Sequence, residues 1–167
     1  MGPVYEVFIH HTVTLAPNGD EKAELRSIQA AHMAAGASDI DYAWLIGRKG
    51  VAYVGRGWSV ADGATGQDKD PQHPFDYYMG RSYGIAALGN YETTAPTVTQ
   101  LNAYRELISQ GIAGGFVLTA PTIRGHRDVR STACPGKYLY AKLDYIRTPW
   151  VPPVTENELP FPLLIGG

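Results

Sequence analysis

The sequence predicts an α/β domain with a mixed central β-sheet flanked by helices. Two observations predict it. Strand-like and helix-like segments alternate in the order βαββ, a long loop, then βαβα. The chain of 167 residues, 44% of them hydrophobic and 18% charged, has the size and apolar content of one globular domain with its own core.

Residues 4–12 (VYEVFIHHT) are rich in β-branched and aromatic types and read as a strand whose C-terminal end carries His10 and His11. Asn18, Gly19 and Asp20 form a turn with a good helix N-cap, and Ala23, Ile28, Ala31 and Ala35 recur with helical period up to Gly36. Residues 42–46 and 51–54 are short apolar runs around Gly47-Arg48-Lys49-Gly50, the pattern of a β-hairpin. From Gly55 to Arg81 no periodicity is visible, so this segment reads as a long loop of the kind that serves function. Residues 82–91 (SYGIAALGNY) read as a buried strand and residues 97–111 as a helix with Leu101, Tyr104, Leu107 and Ile108 on one face. Residues 122–125 form a short strand leading to His126, and residues 136–147 a last helix. Five prolines (149, 152, 153, 160 and 162) follow, so the domain is expected to span 1–148 and residues 149–167 to be a Pro-rich linker or tail, suggesting a module downstream.

Composition narrows the function classes. A net charge of −2 and a pI near 6.2 exclude the basic surface that nucleic acid needs. No apolar run approaches the roughly 20 residues that span a bilayer, and Met1 to Tyr5 lack a secretory pattern. The expectation is a soluble chain, monomeric, made in the cytoplasm without a signal peptide. Cys134 is the single cysteine, so stability comes from packing or a bound metal rather than an intrachain disulfide.

The segment 125–136 (GHRDVRSTACPG) places His126 and Cys134 eight positions apart just after a strand. Imidazole and thiolate are both preferred zinc ligands, and a catalytic site uses three protein ligands with one position left open. His10 is the natural third ligand, because strands of one sheet bring distant segments together at their ends. Taken alone, the histidine–cysteine pair is a weak signal.

The combination is more specific. VFIHHT (7–12), DIDYAWLIGRKGVAYVGRGW (39–58), SYGIAALGNY (82–91) and GHRDVRSTACPG (125–136) occur in the order seen in the type 2 N-acetylmuramoyl-L-alanine amidases, and the chain resembles that family, which includes phage amidase-type lysozymes and the peptidoglycan recognition proteins. The resemblance covers most of residues 4–147. It implies a peptidoglycan recognition protein-like amidase fold, Zn2+ held by His10, His126 and Cys134, an active-site tyrosine at Tyr42 and a transition-state-stabilising residue at Thr132. It implies cleavage of the amide between N-acetylmuramic acid and L-alanine in peptidoglycan, in the setting of a phage endolysin that lyses its host. Two other readings stay beside it: a module of the same fold that binds peptidoglycan without cutting it, and a structural zinc domain. The first turns on the third zinc ligand, and the second usually needs four protein ligands.

Several positions have bland readings. Neighbouring strand residues point to opposite faces, so His11 is expected to face away from the metal. His32 reads as a core histidine or a support for the site, and His73 as either a solvated residue or a groove contact. Arg127 and Asp128 form either a surface pair or a brace for the metal loop. Asp41 and Ala43 depart from the glycine, and the histidine or asparagine, that often flank the tyrosine in relatives, which bears on substrate contacts. The loop from Ser59 to Arg81 is expected to form a wall of the glycopeptide groove.

Overall fold

The computed structural model describes residues 3–14, 19–58 and 81–152. Strands β1 (Val4–His11), β2 (Trp44–Ile46), β3 (Ala52–Val54), β4 (Ser82–Ala87) and β5 (Val117–Gly125) form one sheet in the order β3-β2-β4-β1-β5. β1 runs parallel to β4 and to β5, β2 runs parallel to β4, and the β2–β3 hairpin is antiparallel. The mixed sheet expected from the sequence is therefore present. Helices α1 (Glu21–Ala34), α2 (Val98–Ala113), α3 (Lys137–Tyr140) and α4 (Leu143–Arg147) complete the domain.

β1 lies inside the sheet between β4 and β5 and is covered on both faces, which its nearly continuous apolar run requires. Val7 and Ile9 join Tyr83, Ile85, Leu101, Tyr104, Leu107, Leu139, Leu143 and Ile146 in the larger core, on the side of α2 to α4. Leu45, Ala86 and Leu88 meet Ile28 and Ile40 on the side of α1. Side chains alternate across a strand, so Phe8 and His10 belong to the α1 side.

α1 begins where expected, with Asp20 accepting from the Ala23 amide. Its inner face differs from the alanine stripe. Glu24 and Ile28 are its buried residues, while Ala31 and Ala35 are exposed. Glu24 pairs with Arg48 at 3.0 Å, and Glu21 accepts from the Arg48 amide at 2.7 Å and from the Tyr53 hydroxyl at 2.9 Å. The helix thus docks on the hairpin largely through carboxylates, which a search for apolar period does not find. α2 starts with the capping box of Thr97 and Gln100.

Three other boundaries shift. β4 stops at Ala87 because the chain turns at Gly89 (φ 136), after which the Tyr91 hydroxyl donates back to the Leu88 carbonyl at 3.0 Å. β5 starts at Val117, not Thr122; the register slips between Val4↔Val117 and Glu6↔Thr122, and the exposed residues 118–120 that take up the slip hide the strand's alternation. The last helix is two short ones. The Lys142 amide bonds the Leu139 carbonyl, a tightened turn at the end of α3, while Leu139, Leu143 and Ile146 still face the core. Where the expected tail begins, Arg105 donates to the Thr148 and Pro149 carbonyls and sits under the Trp150 ring. The remainder of the tail from residue 153, and the loop residues 59–80 with His73, lie outside the described residues.

Candidate metal centre

Parallel pairing builds the centre. β1 and β5 pair with Ile9 opposite Gly125, so the next residues, His10 and His126, are neighbours across the sheet at the C-terminal ends of both strands. Their ring centroids are 4.6 Å apart. His126 opens a 3-10 turn of residues 126–128, and the loop beyond it folds back through Arg127 N–H donating to the Cys134 carbonyl at 3.0 Å. That closure returns Cys134 to the histidines. Ligand-capable atoms of His10, His126 and Cys134 all lie within 4.8 Å of one another, and among the described residues they are the group of this kind.

The donor set fits zinc. Bond lengths of about 2.3 Å to sulfur and about 2.05 Å to nitrogen, at a tetrahedral angle, put the two ligand atoms about 3.6 Å apart. Cys134 Sγ lies 3.6 Å from His10 Nδ1. His10 is 1% exposed, and burial, then the neighbouring His126 and His11, hold its pKa well below 6.5. It is therefore neutral near pH 7, the form that ligates. Its Nε2 is buried without a hydrogen-bond partner.

The loop is braced from three sides. Asp128 accepts from the Gly125 amide at 2.9 Å and from the Tyr140 hydroxyl at 2.5 Å. Arg127 stacks on Tyr140 and donates to the Ala133 carbonyl. Of the two readings open for Arg127 and Asp128, the structure supports the brace. The third side is the turn after β4: Tyr138 N–H donates to the Tyr91 carbonyl at 3.1 Å and Lys137 N–H to Glu92 Oε2 at 2.8 Å. His11, on the opposite face from His10 as expected, accepts from the Tyr91 amide at 3.2 Å and so fixes that turn. Burial lowers its pKa too. The peptide bond between Cys134 and Pro135 is cis.

Tyr42 precedes β2 rather than lying within it, and its ring is 5.4 Å from that of His10. Thr132 is tied to the loop by its Oγ1, which accepts from the Cys134 amide at 3.2 Å. The sequence departures beside Tyr42 have structural explanations: Asp41 forms an ion pair with Arg56 at 2.7 Å, and Ala43 is fully buried in the core. Arg56, Tyr91 and Glu92 are supports that sequence reasoning missed. Arg56 offers no local signal, being an isolated arginine between two glycines. His32, left as core or support, accepts from the Asp41 amide and packs on Tyr42.

The family model described as N-acetylmuramoyl-L-alanine amidase matches residues 1–137. Among similar proteins, peptidoglycan-recognition protein SC2 of Drosophila simulans is 37% identical over 121 residues, covering 72% of this chain and 60% of that protein. Peptidoglycan recognition protein 1 of Mus musculus is 35% identical over 141 residues, 83% of this chain and 72% of that protein. The chain thus spans less than two thirds of the length of the Drosophila relative. The structure of Drosophila PGRP-LB superposes with a TM-score of 0.75 at 31% identity, over 92% of this chain and 88% of the other. Peptidoglycan recognition protein LE, solved in complex with tracheal cytotoxin, a monomeric diaminopimelic acid-type peptidoglycan, gives 0.73 at 28% identity, over 87% and 81%. The fold is the one these proteins share.

Proposed function

Because the chain belongs to the N-acetylmuramoyl-L-alanine amidase family, we propose that it is a zinc hydrolase that cuts the amide between N-acetylmuramic acid and L-alanine in peptidoglycan. The observation that carries this reading is the gathering of His10, His126 and Cys134 within 4.8 Å, with a nitrogen–sulfur spacing suited to one tetrahedral ion. His10, His126 and Cys134 would hold the zinc, which when bound would supply Lewis acidity toward a carbonyl and toward a water. Among the described residues three ligands rather than four come together, which favours a catalytic site over a structural one.

The chain's own residues do the rest. Burial keeps His10 unprotonated and ready to ligate. Thr132 accepts the Cys134 amide proton, so its own O–H remains as a donor, directed by the same loop that carries the ligand. In the proposed reaction that hydroxyl stabilises the oxyanion forming on the amide carbonyl. Tyr42, ring against ring with His10, orients the attacking water or the leaving amine. Peptidoglycan is the proposed substrate, and wall lysis of a bacterial host the proposed setting.

Incubation with purified cell wall tests this. New L-alanine amino termini without new reducing ends are expected, since the proposed chemistry acts on an amide and not on a glycosidic bond. The relatives named for recognition favour a second reading, binding without cleavage. Wall pelleting with no new amino termini, at full zinc occupancy, would establish that one instead.

A further inference from the structure

We infer that His32, with Arg56, is a positioning residue that holds Tyr42 against His10. The inference rests on the amidase reading, in which Tyr42 serves the reaction.

Tyr42 lies ahead of a strand only three residues long, so the sheet alone fixes it poorly. The peptide group after it, and the one a residue before it, are nevertheless tied at both their N–H and their carbonyl. In the peptide joining Ile40 to Asp41, the carbonyl accepts from Arg56 Nε at 2.8 Å and the N–H donates to His32 Nδ1 at 2.9 Å. In the peptide joining Tyr42 to Ala43, the carbonyl accepts from the Arg56 amide at 2.9 Å and the N–H donates to the Gly84 carbonyl at 2.9 Å. Arg56 also grips Asp41 Oδ1 at 2.7 Å. Its approach requires Gly55, where a Cβ would collide with the Tyr42 carbonyl.

The rings add a second constraint. His32 meets Tyr42 edge-on at 5.5 Å, and Tyr42 meets His10 at 5.4 Å, so three rings run in a row from the last turn of α1 to the candidate ligand. A histidine that only filled space on α1 would need no acceptor at Nδ1. Here that atom takes the amide proton next to Tyr42, which fixes the backbone from which the phenol projects.

Two substitutions separate positioning from packing. Asn places its Oδ1 at the same bond distance from the backbone as His Nδ1, so His32→Asn keeps the acceptor; His32→Leu keeps bulk and removes it. The readouts are amide exchange at Asp41 and the Tyr42 ring resonances by NMR, and kcat and KM on soluble muropeptides. For His32→Leu, Asp41 exchange should speed up about tenfold, and kcat should fall about tenfold with KM within about twofold. His32→Asn should stay within about threefold of wild type in both. In a Tyr42→Phe background, His32→Leu should cost no further kcat, because its effect runs through the tyrosine. The proposal is overturned if Asn is as impaired as Leu, if Asp41 exchange is unchanged in Leu, or if the loss persists undiminished with Phe at position 42. A wild-type protein that releases no L-alanine termini would sink the amidase reading alone; the exchange rates and ring resonances would still decide whether His32 holds Tyr42.

Discussion

Replacing Gly136 by alanine should both destabilise the fold and loosen the metal centre. Gly136 has φ 87 and ψ 145, a backbone conformation that residues with a Cβ rarely adopt. Holding alanine there costs about 1–3 kcal/mol. An added Cβ would also lie 2.5 Å from the Glu92 nitrogen and 2.7 Å from the Tyr91 oxygen, both backbone atoms that cannot rotate aside. Relief requires the two segments to separate by about 1 Å, since ordinary contacts fall near 3.5–4 Å. Separation strains the bonds from Tyr138 N–H to the Tyr91 carbonyl and from Lys137 N–H to Glu92, each worth about 1 kcal/mol. The sum is about 3–5 kcal/mol, or a Tm lower by about 6–20 °C for a domain of this size. The Gly136 amide also donates to the Ala133 carbonyl at 2.7 Å, so movement passes to Cys134. Zinc affinity should drop about tenfold to a hundredfold, as when the supports of a ligand are removed. Denaturant unfolding of the metal-free protein and chelator competition measure the two effects separately. Unfolding free energy within about 1 kcal/mol of wild type would show that the Tyr91–Glu92 turn does not anchor the loop.

Cys134→Ser should lose bound zinc and wall-lytic activity together; metal analysis alongside release of L-alanine termini checks it, and retention of both would remove Cys134 from the ligand set. Tyr42→Phe and Thr132→Ala should keep their zinc and folding but lower kcat, with about 2–4 kcal/mol, roughly thirtyfold to a thousandfold, for a hydroxyl that serves the oxyanion directly. Zinc loss in either would mark that residue as a structural support. Stability of the metal-free protein should depend on pH below neutrality. Burial lowers the pKa of His10 and of His11 in the folded state, so the unfolded chain takes up protons first. Stability is then full above about pH 6.5 and falls as the pH drops toward the folded-state values, His10 alone giving up to about 1.4 kcal/mol per pH unit. Equal unfolding free energies at pH 7.5 and 5.5 would contradict it.

The sequence by itself determined which chemistry was on offer and roughly where the elements lie. Residues 4–12 could be read as a strand because its β-branched and aromatic types are a local property, and α2 because its buried face repeats at helical spacing. His10, His126 and Cys134 were legible as a set through family resemblance, since their types suit zinc, whereas no spacing along the chain joins residue 10 to residue 126. Tertiary structure decided that junction. Pairing Ile9 with Gly125 makes His10 and His126 neighbours, and a shift of one residue would send one of them to the other face. It also decided that α1 docks through Glu21 and Glu24, because a carboxylate reads as solvent-facing until Arg48 and Tyr53 arrive from the hairpin. The roles of His11, His32 and Arg56 were hidden for the same reason. Each acts through one hydrogen bond or more to the backbone of another segment, nine residues away for His32, 16 for Arg56 and 80 for His11, and such a bond depends on where two segments meet, which no local pattern encodes.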